Sequence, residues 1–258
     1  MSQKLITNND IVEFLISSRE NVEILSYKLI EHSKLFSTVD ELYSENESNL
    51  GKIIKEDDLE KILAVVKKLF FKSLNLNLES ENFPIIKLKK TNKRIDQDGE
   101  EYISKGSNKF QSEIRMNYDR EIRFTTTIIH SIFHYLFDKT YEKSYMDKYD
   151  CIDEGLARYG SIILAHKLKY ELNNDLYLYD VYEDALSDIW ETLVWLEKKH
   201  QIKLGQIVEK SYPFKKTSKE KKGKKPDIYA RGYCYFLIKT HNMSVLETQE
   251  YIMSFFNS

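Results

Sequence analysis

Helical periodicity dominates the pattern of hydrophobic and polar positions along the first part of the chain. Apolar residues recur at steps of three and four over 10–36 and again over 55–74. The polar segment 44–51 lies between them and predicts a loop. Residues 1–80 are therefore predicted to form a helical N-terminal region, to which the sequence assigns no role.

The periodicity then changes to that of strands and back again. Residues 83–89 predict a short strand, 91–100 a polar turn region, and 113–118 a half-buried strand, because polar and apolar residues alternate there. From residue 121 the helical period returns. A strand region over 81–120 and a helical region over 121–258 predict an α+β fold that is mostly helical. Its helices are predicted at 121–139, 152–170, 178–200, 203–211, 228–241 and 244–256.

Composition agrees with a helix-rich globular chain. Hydrophobic residues make up 41% and aromatics 13%, enough for a large core, while 8 Gly and 3 Pro among 258 residues argue against a many-turned β-sandwich. The net charge of -2 gives no reason to expect nucleic acid or an anionic membrane as partner. Cys151 and Cys234 are too few for a disulfide framework, so reduced thiols are expected.

The N-terminus and the apolar runs predict a cytoplasmic location. Residues 1–19 contain Asn9, Asp10 and Glu13 and lack the unbroken apolar run of a signal peptide. No segment reaches the roughly 18 apolar residues of a membrane span. Export without a cleaved signal stays open as an alternative.

A lysine-rich segment interrupts the C-terminal half. Between Lys215 and Lys225 there are seven lysines in eleven residues. A solvated loop is the simpler interpretation, and contact with an anionic partner or substrate is the alternative.

Two histidines are the first candidate functional residues. His130 and His134 are four residues apart, so on a helix they differ by about 40° in azimuth and can reach one tetrahedral metal. The surrounding positions, including Ile128, Ile132 and Phe133, are apolar, so the helix should be buried nearly all round. Buried imidazoles need hydrogen-bonding partners or a ligand, and both interpretations remain open for this pair.

A glutamate follows on the next predicted helix. Glu154 is expected in the first turn of the helix 152–170, where the helix dipole favours a carboxylate. A dipole-stabilising role is one interpretation. The other is metal binding, because two histidines and one glutamate form the ligand set of catalytic zinc sites that keep a fourth position for water.

His-Ser-Ile-Phe-His followed by Asp-Glu-Gly-Leu-Ala-Arg-Tyr resembles the gluzincin metallopeptidases, whose pattern is H-E-x-x-H with a downstream E-G-x-A. The resemblance covers roughly 110–240, and 19 residues separate His134 from Glu154, as in thermolysin-like members. It implies one zinc ion held by His130, His134 and Glu154. It also implies a gluzincin-like domain over 81–258 with a zincin-like fold. That fold has an edge strand above the zinc, an active-site helix and a helix that carries the glutamate, here 113–118, 121–139 and 152–170.

A further match lies on the helix 228–241. Tyr229-Ala-Arg-Gly resembles the Tyr-Glu-Lys-Gly segment of gluzincin aminopeptidases, whose tyrosine stabilises the oxyanion. The resemblance makes Tyr229 the candidate donor. Tyr233 and Tyr235 are alternatives, and a structural role is open for all three. No exopeptidase motif accompanies the match.

The sequence departs from the family at the residue after the first histidine. The general-base glutamate is replaced by Ser131, whose hydroxyl has no accessible conjugate base near neutral pH. The expected loss of rate is about 10²–10⁴-fold. Asp153 is no obvious substitute, because it points about 100° away from Glu154 on a helix. Ser131 as a nucleophile is disfavoured, since a mid-helix serine lacks free backbone N–H groups nearby.

These residues predict a zinc-binding pseudo-peptidase that binds a peptide or protein. One alternative is an active metallopeptidase or other metal-dependent hydrolase with a non-standard base, or a catalytic-site variant changed at residue 131. Another is a metal-free helical interaction protein, in which His130, His134 and Glu154 would not converge on one point.

Overall fold

The computed structural model describes residues 6–45, 51–76, 78, 85–89, 100–104, 112–117, 121–141, 143–201 and 225–256. The predicted helix 203–211 and the lysine-rich segment, apart from Lys225, lie outside these residues.

The described residues form eight α-helices and three strands, so the chain is mostly helical, as predicted. The elements are α1 (Asn8–Ile16), α2 (Arg19–Glu45), α3 (Glu56–Leu74), β1 (Ile85–Lys89), β2 (Glu100–Ser104), β3 (Ser112–Asn117), α4 (Glu121–Thr140), α5 (Lys143–Leu172), α6 (Leu176–His200), α7 (Ile228–Lys239) and α8 (Val245–Met253).

A break after α1 divides the helix predicted over 10–36. The Ser17 hydroxyl donates to the Phe14 carbonyl at 2.7 Å, and the Ser18 hydroxyl accepts from the backbone N–H of Glu20 at 3.0 Å. The side-chain amide of Asn21 also donates to the Phe14 carbonyl, at 2.7 Å. These short polar side chains satisfy backbone groups at the two helix ends, so α1 and α2 replace one continuous helix.

The three strands form one mixed sheet in the order β1–β3–β2. β3 pairs in parallel with β1 and antiparallel with β2. β3 is therefore the central strand among those described, whereas the family resemblance places an edge strand at 113–118. β2 begins at Glu100, where a polar turn region was predicted to end, and the sequence did not indicate it. Both β2 and β3 lie against α4.

Helix α5 is central to the helical part and packs against α4, α6 and α7. Of the N-terminal helices, α2 packs on α6 and α7, and α3 contacts α4, α5 and α8. Their buried side chains join one continuous hydrophobic core. The N-terminal region thus shares its core with the rest of the chain, and the domain boundary near residue 80 stays a prediction. None of the described helices is long and apolar enough to cross a membrane.

Two glycines let α5 and α7 touch through their backbones. A Cβ added at Gly232 would lie 1.7 Å from the Cys151 carbonyl oxygen, and one added at Gly155 would lie 2.2 Å from the Gly232 carbonyl carbon. No side chain fits at either position, so only glycine permits this approach. The contact brings the start of α7, with Tyr229, beside Glu154 on α5.

Candidate metal centre

The two histidines of α4 lie against each other, as their spacing predicts. Their Nε2 atoms are 2.9 Å apart, and their rings meet edge to face with centroids 4.6 Å apart. Both side chains are partly exposed, whereas neighbours such as Ile129 and Phe133 are buried. Between Ile128 and Phe137 of α4, the two histidines are therefore the residues that are not buried.

Glu154 approaches this pair from α5. Its Oε2 lies 3.3 Å from His134 Nε2 and 3.8 Å from His130 Nε2. One ligand atom from each of the three residues falls within 4.8 Å of the others. Zinc bonds of about 2.0–2.1 Å in tetrahedral geometry separate neighbouring ligand atoms by about 3.3 Å. The predicted ligand trio thus converges at separations close to those of a zinc-bound set.

The Glu154 carboxylate supplies a second reason to consider a cation here. Its Oε2 is buried and, beyond its contacts with the two imidazoles, has no hydrogen bond among the described residues. A buried carboxylate that faces two imidazoles is satisfied either by a proton on an imidazole or by a cation bound between the three groups. The donor set of two imidazole nitrogens and one carboxylate oxygen is one that zinc accepts.

The helix position of Glu154 differs from the prediction. Helix α5 begins at Lys143, so Glu154 lies about three turns inside it, not in its first turn. The dipole explanation for this glutamate is therefore wrong, because the dipole acts only near the helix end. Burial disfavours the carboxylate, but the nearby His130 and His134 outweigh burial and hold the pKa of Glu154 at about 2.

Asp153 orients the second histidine from behind. Its Oδ1 lies 2.8 Å from His134 Nδ1, which leaves His134 Nε2 facing Glu154 and His130. Carboxylates bound to the outer nitrogen of a metal-ligating histidine fix its tautomer and ring orientation. Burial works against protonation of His134, yet Asp153 and Glu154 raise its pKa well above the ordinary value. Burial instead lowers the pKa of His130 to about 4, despite Glu154.

Ser131 does not take part in this cluster. Its side chain is 0% exposed, and its hydroxyl donates to the Thr127 carbonyl at 2.9 Å. Because this hydroxyl is engaged with the helix backbone, it is not positioned as a nucleophile. The residue at the position of the gluzincin glutamate therefore contributes no acid–base group.

Of the three candidate tyrosines, Tyr229 is the one beside the cluster. It is 37% exposed, and burial together with the nearby Glu154 raises its pKa. The hydroxyl of Tyr233 instead contacts His32 Nε2 at 3.0 Å, and the Tyr235 hydroxyl accepts from Tyr251. Tyr229 alone of these three is placed to donate to a group bound near Glu154.

Arg158 is a residue that the sequence did not single out. Its guanidinium lies 5.6 Å from the centre of the Tyr229 ring. Asp184 contacts its Nη1 at 2.7 Å and Asp188 its Nε at 2.8 Å, so two carboxylates fix its position. The sequence could have indicated it, because Arg158 follows Glu154 by four residues and so lies on the same helix face.

A pocket of about 180 Å³ opens beside His130. Residues from α4, α5, α6 and α7 line it, namely Thr126, Thr127, His130, Arg158, Ser161, Asp180, Val181, Asp184 and Tyr229. The cluster therefore borders a polar space in which a bound group would meet His130, Arg158 and Tyr229 together.

Comparisons with protein-family models, with curated proteins and with solved structures found no match to this chain. The likeness to gluzincins rests on the residues described above.

Proposed function

We propose that this chain is a zinc-binding protein with a gluzincin-like site that lacks the general base, and that it binds a peptide or protein rather than cleaving it. The observation that carries the proposal is the convergence of His130 Nε2, His134 Nε2 and the buried Glu154 Oε2, whose separations are 2.9, 3.3 and 3.8 Å. Zinc held there would act as a Lewis acid toward a carbonyl oxygen or a bound water. The succession of β3, α4 and α5 supports a zincin-like arrangement as part of the proposal.

Binding is favoured over cleavage because the carboxylates of the described site are otherwise engaged. Asp153 contacts His134, Asp180 accepts from the Thr126 hydroxyl, and Asp184 contacts Arg158. Asp180 and Asp184 line the pocket with His130, but each is held by a protein donor, unlike the general base that the resemblance requires. Without a positioned base, hydrolysis should be slower by about 10²–10⁴-fold. Tyr229 and Arg158 remain as donors for the carbonyl oxygen of a bound peptide.

Metal content tests the proposal directly. Protein purified without chelator should contain one zinc per chain, and chelator-treated protein should take up one zinc in a calorimetric titration. Glu154→Gln should lose this binding, because it removes the buried charge. Glu171→Gln on the same helix is the matched control, since Glu171 lies near the exposed surface and contacts Lys72. If zinc were absent from the wild type and from its titration, a metal-free interaction protein would be the better description.

Restoring a carboxylate at position 131 tests whether the proposed zinc ligands and Tyr229 can support hydrolysis. Ser131→Glu should gain a chelator-sensitive cleavage of denatured casein, whereas Ser131→Gln, of equal size but uncharged, should not. A folded, zinc-loaded Ser131→Glu variant without cleavage would contradict the gluzincin-like assignment of Tyr229. Chelator-sensitive cleavage by the wild type itself would replace the pseudo-peptidase with an active hydrolase.

A further inference from the structure

A second and larger pocket, of about 360 Å³, lies between α2, α5, α7 and the start of α8. Pockets for small molecules begin at about this size. Among the described residues, it shares no lining residue with the pocket beside His130. On α5, Tyr159 and His166 line this second pocket, whereas Arg158 and Ser161 line the first. The two pockets therefore occupy different sides of α5.

A hydrogen-bonded group of tyrosines and histidines lines the inner part of this pocket. His32 Nε2 contacts the Tyr233 hydroxyl at 3.0 Å, and His166 Nε2 contacts the Tyr182 hydroxyl at 2.5 Å. The His32 ring also meets the Tyr182 ring edge to face, with centroids 4.6 Å apart. We call His32, His166, Tyr182 and Tyr233 the tyrosine–histidine group. These hydrogen bonds give each of the four polar side chains a partner within the otherwise apolar interior.

Two histidines of the lining each have one ring nitrogen without a hydrogen bond among the described residues. His32 is 6% exposed, and its Nδ1 is buried without a hydrogen bond among the described residues. The same holds for Nδ1 of His241, which also lines the pocket. Buried polar atoms in native proteins are normally satisfied by protein, water or ligand. These two lining histidines therefore keep hydrogen-bonding capacity that the described residues do not use.

The charged residues of the lining leave an excess of positive charge. Lys28 and Lys167 carry two positive charges, and Glu31 carries one negative charge that contacts Lys28 at 2.8 Å. Aliphatic side chains, such as Ile162 and Leu237, form much of the remaining wall. A ligand that matches both the excess positive charge and the aliphatic wall has an apolar body and one acidic group.

We propose that this pocket binds a small amphiphilic carboxylate. Its apolar body lies against the tyrosine rings and the aliphatic wall, its acid group faces the lysine side of the lining, and it makes polar contacts with the histidines. Binding at this pocket does not depend on metal at the His130 cluster, because the two pockets are lined by separate residues. Failure of one proposal therefore leaves the other standing.

Fluorescence of 8-anilinonaphthalene-1-sulfonate, an amphiphilic aromatic anion, provides the test, with decanoate as competitor. The dye should bind the folded protein saturably at one site, and decanoate should displace it. Thr248→Trp, which fills the pocket from α8, should weaken decanoate binding at least about tenfold. Glu250→Trp on the same helix is the control, because Glu250 is exposed and does not line the pocket. It should bind as the wild type does.

The charge requirement is tested separately. Lys167→Glu should weaken decanoate at least about fivefold and leave the displacement by uncharged decanol unchanged. If Thr248→Trp fails to fold, Lys167→Glu still tests whether the pocket binds a carboxylate, because Lys167 is partly exposed. No saturable dye binding, equal decanoate binding by Thr248→Trp, or equal loss of decanoate and decanol in Lys167→Glu would each overturn the proposal.

Discussion

Two pairs of histidines in this molecule have different partners. His130 and His134 lie together on α4 and face the carboxylates of Asp153 and Glu154. His32 and His166 lie on α2 and α5, and their ring nitrogens contact tyrosine hydroxyls. The imidazole is the same group in each pair, so the neighbouring residues determine what it can bind.

The partners have opposite electrostatic effects. Asp153 and Glu154 outweigh burial and raise the pKa of His134 well above its ordinary value. At the second pair, burial, followed by Lys28 and His166, lowers the pKa of His32 to about 3. A site that attracts a proton also attracts a metal cation, whereas a neutral imidazole beside lysines favours an uncharged or anionic ligand. This difference between His134 and His32 agrees with a cation at one pair and a carboxylate at the other, which the geometry of each site supports; burial lowers the pKa of His130 too, as it does for His32.

The largest effect is expected from removing one histidine of each pair in turn. His134→Ala removes a ligand and leaves Glu154 without its nearest partner. Zinc affinity should fall by at least about 1000-fold, more than is lost when an outer partner is removed. His166→Ala, in the tyrosine–histidine group, should bind zinc as the wild type does. Calorimetric titration of zinc into chelator-treated protein measures both.

Equal losses of zinc affinity in His134→Ala and His166→Ala would contradict the assignment of the metal to the first histidine pair. Thermal unfolding of each variant without metal shows whether a loss reflects unfolding. His134→Ala should keep its fold, because the His134 side chain is partly exposed and the buried apolar neighbours on α4 are unchanged.

The second expectation concerns the helix contact that supports both regions. Gly232 lies on α7 between Tyr229, beside the metal cluster, and Tyr233, in the tyrosine–histidine group. Gly232→Ala places a Cβ against the Cys151 carbonyl, and backbone atoms cannot move aside as a side-chain end can. The free energy of unfolding should drop by about 3 kcal/mol or more, as for severe overpacking. Urea denaturation followed by circular dichroism measures this drop.

A small decrease in the unfolding free energy of Gly232→Ala would show that α5 and α7 can separate at this point. Ala230→Gly, two residues earlier on α7, is the control for a simple change in helix propensity. It should cost only about 1 kcal/mol plus the loss of one buried methyl group.

The metal cluster shows how much of a site local sequence can predict. Three predicted ligands converge because a four-residue step fixes two imidazoles on one helix face. The role of Asp153 was missed, since its contact with His134 depends on how α5 crosses α4. The predicted position of Glu154, in the first turn of its helix, was also wrong. Residues 143–151 contain little helical periodicity, so the apolar pattern does not indicate that α5 begins at Lys143.

The pocket lined by the tyrosine–histidine group could not be predicted from sequence at all. Its members are at positions 32, 166, 182 and 233, on four different helices, and no motif joins them. The mostly helical fold was predictable from periodicity. The break at Ser17 and strand β2 were not, because each depends on a few short-range hydrogen bonds or on pairing with a distant strand.

A third and smaller effect is expected at Asp153. Asp153→Asn keeps a hydrogen-bond acceptor beside His134 Nδ1 but removes the charge. Loss of such an outer partner typically weakens metal binding by about 10–100-fold. Asp175→Asn is the control, because Asp175 contacts Lys169 and does not belong to the cluster of His130, His134 and Glu154. Competition for zinc with a chromogenic chelator measures the affinities, and unchanged affinity in Asp153→Asn would remove Asp153 from the proposed site.

The smallest effect concerns pH and the second histidine pair. The folded pKa of His32 is about 3, below the unfolded value of about 6.5, so the unfolded state binds more protons between these values. Its contribution to stability is therefore complete above pH 6.5 and is lost as pH falls toward 3. Relative to His32→Gln, which does not titrate, the wild type should lose about 1 kcal/mol of unfolding free energy between pH 7 and pH 5.5. Urea denaturation at both pH values measures the difference. Parallel behaviour of the two proteins would mean that His32 takes up a proton within the fold, and the contrast between the two histidine pairs would then fail.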